Sequence, residues 1–127
     1  YRLYASNTCS TSSDIRLKEN IKPFDERYER MYMELQPVTY ELKAYPGKTQ
    51  CGLIAQWVKE AMDKHGISEK ELALYEHDEK EDSYSLSYEQ LTSLNMHMLQ
   101  KAYARIEQLE QKVSALEKNI EEEEHGR

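Results

Sequence analysis

Near its C-terminus the chain places Ile106, Leu109, Val113, Leu116 and Ile120 at alternating steps of three and four residues, the spacing of apolar a and d positions in a heptad. Such a seam has to meet another helix, so the pattern predicts a coiled coil over about residues 90–122. With Ile106 at a, Arg105 and Lys112 fall at g while Glu110 and Glu117 fall at e. This arrangement suits g-to-e pairing between parallel strands. An exposed pair contributes at most about 1 kcal/mol, so register comes chiefly from the apolar seam. Ile or Val at a with Leu at d leans toward two strands. Upstream, Leu91, Leu94, Met98 and Ala102 form a broader stripe, expected to pack on the rest of the domain. The like-charge block Glu121 to Glu124 is expected to fray.

The chain ahead of this helix alternates short helical and strand patterns. Tyr1, Leu3 and Ala5 alternate with polar residues as in a strand, and Ser10-Thr11-Ser12-Ser13 reads as a loop. Tyr28, Met31, Tyr32 and Leu35 mark an amphipathic helix from Asp25 to Leu35, ended by Pro37. Val38, Tyr40 and Leu42 alternate with polar residues in a half-buried strand that leads to a turn at Pro46-Gly47, with Cys51 to Ile54 as its hairpin partner. A helix from about Ala55 to His65 would turn Trp57, Val58, Ala61 and Met62 inward and close at Gly66. Glu76 to Asp82, without an apolar residue, reads as a solvated loop, and Tyr84 to Tyr88 as a strand-like segment. The fold class that results is α+β and mostly helical, with small β-hairpin elements and a long C-terminal helix.

Composition narrows the function. At 127 residues the chain holds one domain with a modest core. A net charge of -7 argues against nucleic acid as a partner, since phosphate contacts need clustered Lys and Arg. No apolar run approaches the roughly 20 residues of a membrane helix, and no signal segment opens the chain, so neither membrane nor secretion is expected. The two cysteines, Cys9 and Cys51, read as free thiols, with Cys51 expected to be buried. The histidines His65, His77, His97 and His125 lack zinc-ligand spacing. The acidic run Asp78 to Asp82 lacks the central glycine of a calcium loop. Pro46-Gly47-Lys48-Thr49 ends like a phosphate loop, but Leu42 stands where that loop needs glycine. No metal or cofactor is expected.

The run Ser13-Asp14-Ile15-Arg16-Leu17-Lys18 carries the chemistry. A serine hydroxyl needs a partner to take its proton, and a desolvated lysine can serve as that base. Five residues along a helix rotate by roughly 140°, so cooperation between Ser13 and Lys18 requires a bent segment before a short helix. The alternative is that Ser13 or Asp14 caps a helix running through Leu17 and Ile21 to Pro23. Gly52 to Val58 likewise has two readings. It is either a turn before a helix or a source of backbone amides for a developing oxyanion, with Gly52 and Gln56 in supporting positions.

Ser13 to Ile21 resembles the opening of the C-terminal intramolecular chaperone domains of bacteriophage tail spikes, tail fibres and neck appendages, endosialidase tailspikes among them. A related domain occurs in the myelin regulatory factor family. Leu35-Gln36-Pro37-Val38-Thr39-Tyr40, Gly52-Leu53-Ile54-Ala55-Gln56-Trp57-Val58 and Leu86-Ser87-Tyr88 continue the resemblance to about Glu117. Trp57 departs from it, standing where the family usually has an acidic residue. The resemblance implies a homotrimer that folds an upstream β-helical stalk and then cuts itself away, a single-turnover serine endopeptidase. Carried over, Ser13 is the nucleophile, Lys18 the general base and Ser13-Asp14 the scissile bond, with Arg16 in a supporting position. Residues 1–13 would be the end of the client stalk and 14–127 the chaperone. Ser13 supplies the carbonyl of that bond as well as a hydroxyl, so the nucleophile is either its own Oγ or the serine of a neighbouring chain. The implied setting is the host cytoplasm during phage assembly, with the domain absent from the mature virion. The competing reading is a non-enzymatic trimerisation or adaptor module.

Overall fold

The computed structural model describes residues 10–126. The expected stalk strand at Tyr1 to Ala5, and Cys9, lie outside the described residues. What is described is a mixed α/β domain with three helices and two small antiparallel hairpins. In chain order these are α1 (Glu26–Tyr32), β1 (Val38–Leu42), β2 (Tyr45–Gly52), α2 (Ala55–Lys64), β3 (Tyr75–Asp78), β4 (Ser83–Leu86) and α3 (Glu89–His125).

Asp25 starts α1 by accepting the Arg27 backbone N–H at 2.8 Å. The helix ends at Tyr32, earlier than Leu35, but turn bonds from Glu34 N–H to Met31 and from Leu35 N–H to Tyr32 carry Leu35 onto the same apolar side. α2 closes as its sequence requires. Gly66 takes φ +67°, its N–H donates to the Asp63 carbonyl and the Ile67 N–H donates to Met62, a Schellman ending that drops Ile67 into the core. Around α2 gather Met31, Val58, Ala61, Met62, Ile67, Leu74, Tyr75, Leu91 and Leu94, all buried, with Tyr28, Tyr32, Leu35 and Leu53 packed against them.

The hairpins differ from expectation. β1 and β2 reverse at Lys43-Ala44, and Pro46-Gly47-Lys48 is instead a bulge within β2, because Glu41 pairs with Thr49 while Leu42 pairs with Tyr45. Glu41 accepts a hydrogen bond from the Gly47 N–H and so holds the bulge. The partner strand extends back to Tyr45 rather than beginning at Cys51. Cys51 is exposed, since it pairs with exposed Thr39 on the hairpin face opposite half-buried Val38 and Tyr40. Glu76 to Asp78 form β3 rather than loop, anchored by buried Tyr75 and paired with β4. Trp57 is 44% exposed. It stands in the first turn of α2 and lines a surface pocket with Glu60 and Ala61.

α3 runs unbroken through Glu121–Glu124 to His125, so the acidic block is helical. Its first turns supply Leu91 and Leu94 to the core, with Met98 packed beside them, while Ala102 is exposed and falls on the seam. Two devices fix α3 to the body. At its start, the Tyr88 hydroxyl accepts from the Leu53 N–H at 3.0 Å and donates to the Leu53 carbonyl at 3.2 Å. Gly52 permits this approach: a Cβ there would lie 2.7 Å from the Tyr88 oxygen and 3.3 Å from the Tyr40 ring. Two turns on, the half-buried Glu29 of α1 accepts from Lys101 at 2.8 Å and meets His97 Nε2 at 2.6 Å, while Phe24 lies against the His97 ring. Lys101, then His97, hold the Glu29 carboxyl below its usual range. Arg27 does the same to Glu71, which it grips while donating to the Gly66 carbonyl, and so ties α1 to the turn after α2.

Two outcomes follow from these contacts. Gly52→Ala should swing Tyr88 off Leu53 and cost about 1–3 kcal/mol in urea unfolding at fixed protein concentration, with a smaller effect in a Tyr88→Phe background because the two changes act on one contact. The Glu29 and Glu71 carboxyls titrate lower when folded than when unfolded, so their contribution is present above the ordinary value of 4.5 and is lost on further acidification. The urea midpoint should therefore fall as pH drops below about 4.5, and less steeply in Glu29→Gln.

Candidate functional site

The segment from Ser13 to Lys18 is bent, as cooperation of its ends demands. Asp14 sits in extended backbone with φ -69° and ψ 128°, a single 3-10 turn spans Ile15–Leu17, and Lys18 returns to extended backbone. The cap is Asp14, whose Oδ1 accepts the Arg16 N–H at 2.9 Å. No helix continues to Ile21. The single turn lets Lys18 reach back, and its Nζ donates to Ser13 Oγ at 2.7 Å. Capping and the Ser13–Lys18 contact, alternatives in sequence, coexist because different residues perform them.

Arg16 has a definite task here. Its Nε donates to both Asp14 oxygens at 3.2 and 3.0 Å, and a second guanidinium nitrogen donates to Oδ2 at 2.7 Å. This fork, with the backbone bond, holds the Asp14 carboxyl below the usual carboxylate range. Asp14 is thereby occupied by Arg16, and Lys18 is left to Ser13. The surroundings are open: Ser13 and Lys18 are exposed, as are the apolar side chains of Ile15, Leu17 and Ile21.

Gly52 and Gln56 are not joined to this segment by any hydrogen bond among the described residues. The Leu53 amide donates to Tyr88, and Gly52 serves the close approach of that ring. Gln56 is an exposed residue in the first turn of α2, whose N-cap Ile54 supplies no side-chain cap. Tyr88, which fixes the start of α3 to Leu53, is a structural residue that sequence reasoning gives no role; the signal for it is the Leu86-Ser87-Tyr88 stretch. His97 occupies heptad position f and faces α1 through Glu29, away from the seam. The seam residues Ile106, Leu109, Val113, Leu116 and Ile120 are 44–61% exposed on the single chain.

Among the described residues, no group of three or more His, Cys, Asp and Glu side chains is placed to hold a metal, and no helix is long and apolar enough to cross a membrane.

Comparison with known proteins adds three findings. No curated protein matches the sequence. A solved structure described as "Crystal structure of a novel intramolecular chaperon" superposes with a TM-score of 0.62 at 18% identity, covering 73% of this chain and 99% of that one. This likeness shows a shared fold. The model of the family Peptidase S74, the chaperone of endosialidase, matches residues 13–67, a span that begins at Ser13 and takes in Asp14, Arg16, Lys18 and Gly52. Over residues 13–67 the chain therefore carries the sequence pattern of the chaperone of endosialidase family, to which its Ser13–Ile21 run bears the resemblance noted above.

Proposed function

We propose that this chain is an intramolecular chaperone that trimerises through α3, assists the folding of an upstream β-helical stalk, and then releases itself by one cut at Ser13-Asp14. The observation that carries the reading is the Lys18–Ser13 contact at 2.7 Å, located where the family match begins. The match to the chaperone of endosialidase family supports the chaperone role, and the family name Peptidase S74 supports a peptidase activity. The client is a phage tail spike, tail fibre or neck appendage, assembled in the host cytoplasm, and the released domain is absent from the virion.

The exposed seam gives the reason for assembly. A helix of 37 residues that leaves Ile106, Leu109, Val113, Leu116 and Ile120 in water gains by burying them against copies of itself. Three copies rather than two follow from a three-chain client, which imposes its own number. Gathering three C-termini removes much of the association entropy that non-local β-pairing must otherwise overcome.

Assembly also licenses the chemistry. A lysine acts as a base in its neutral form, which desolvation favours. Ser13 and Lys18 are exposed on the single chain, so covering by neighbouring copies and by the folded stalk is the step that completes the site. A serine attacking its own carbonyl would close a strained ring of Oγ, Cβ, Cα and the carbonyl carbon. We therefore assign the attack to Ser13 of a neighbouring copy. Its Oγ bonds to the carbonyl carbon as its proton passes to Lys18 Nζ, the bond to the Asp14 nitrogen breaks, and the lysine gives the proton to the leaving amine. Water then hydrolyses the Ser13 ester, leaving a carboxylate and a free hydroxyl. Arg16 contributes by keeping Asp14 away from Lys18.

Intact mass under denaturing conditions tests this reading on the chain expressed behind its native upstream sequence. The parent should yield a fragment beginning at Asp14, and Ser13→Ala and Lys18→Arg should remain whole. A parent that stays uncut would leave the non-enzymatic trimerisation module, and a fragment beginning at Ser13 would overturn the assigned bond.

A further inference from the structure

The g-to-e rule that pairs Arg105 with Glu110 and Lys112 with Glu117 of a neighbouring helix links each g residue to the e residue five positions later. Extended toward the start of α3 in the same register, the rule gives Leu91 with Met96, and Met98 with Tyr103. These two pairs are apolar, whereas the two distal ones are ionic. The change coincides with the body of the domain. Leu91 is buried and Met98 is packed against the core, while Met96 is 58% and Tyr103 69% exposed on the single chain.

The a and d positions continue across the same stretch. Thr92, Asn95, Leu99 and Ala102 are all exposed, so the seam does not stop at Ile106 but runs alongside the folded body. There it meets a groove of about 800 Å³ between the β1–β2 hairpin and the start of α3, walled by Leu35, Val38, Leu53, Tyr88 and Leu91. Asn95 belongs to both seam and groove, and exposed Cys51 also lines the groove.

We propose that this groove is the seat for a second copy of the chain, with Met96 of the neighbouring copy entering beside Leu91 and its Tyr103 covering Met98. The inference rests on the parallel coiled coil proposed above and deepens it: the interface is a helix set into a neighbour's hairpin groove as well as helix against helix. Three features favour this occupant. The seam and groove are continuous through Asn95; the e residues beside the domain body, Met96 opposite groove residue Leu91 and Tyr103 opposite core-packed Met98, are apolar where those beyond it are acidic; and an unbranched Met side chain suits a cavity of irregular shape.

The test uses the full chain with Cys9→Ser, leaving Cys51 as its thiol, and adds Met96→Cys. A short bismaleimide should join Cys51 of one chain to the introduced thiol of another, giving a covalent pair of chains on a denaturing gel. Met96→Glu, at an exposed position, should leave the folded chain intact and weaken self-association in sedimentation equilibrium by about tenfold or more. If the parent self-associates but no interchain link forms, or Met96→Glu assembles as the parent does, the groove assignment is wrong and the coiled coil stands without it. A parent that sediments as a monomer would overturn the coiled coil and the groove together.

Discussion

Everything in this molecule depends on one helix serving two surfaces. The first turns of α3 complete the core of the domain through Leu91 and Leu94, while the a and d positions of the same helix stay in water from Thr92 to Ile120. No single chain satisfies both. The body is held on one side of α3 by Tyr88 on the Leu53 backbone and by Glu29 between His97 and Lys101, and these polar ties leave the seam facing outward. The fold is thus a platform that leaves an apolar stripe unburied along α3.

The Ser13–Lys18 segment repeats this logic on a small scale. Its local geometry is in place on one chain: a capped turn, an Asp14–Arg16 fork and a serine–lysine contact. What the single chain lacks is cover. Exposed Ile15, Leu17 and Ile21 flank the pair, so burial of this arm would both gain apolar area and dry the lysine. In the function proposed above, a reaction that waits for cover waits for assembly, the order that a self-releasing chaperone would need.

Much of this was legible in the residues, for identifiable reasons. Heptad spacing is a local, period-based signal, and α3 follows it. The alternation from Val38 to Leu42 and the Gly66 ending of α2 are local too. The misplaced features each depended on tertiary context. Trp57 and Val58 are neighbours on one helix, and periodicity does not say which one the body covers. Pro46-Gly47 carries a turn signature, yet register spends it on a bulge and reverses the chain at Lys43-Ala44. Cys51 was expected to be buried because cysteines usually are, but a two-stranded hairpin has a face with no layer over it. β3 is acidic and has only Tyr75 to anchor it, so nothing in its pattern marks a strand. At the candidate site, spacing left Ser13 and Lys18 open between a helix cap and a cooperating pair, and the resemblance pointed to the pair, whereas the Gly52–Tyr88 contact joins residues far apart in the chain and emerges only in the fold.

The central claim, that assembly completes the Ser13–Lys18 site, is tested most directly by the initial rate of appearance of the Asp14 fragment as a function of chain concentration, with oligomeric state followed by sedimentation in the same samples. The account predicts that the rate per chain falls as dilution dissociates the proposed assembly. A rate per chain that stays constant down to concentrations at which the protein is monomeric would contradict it.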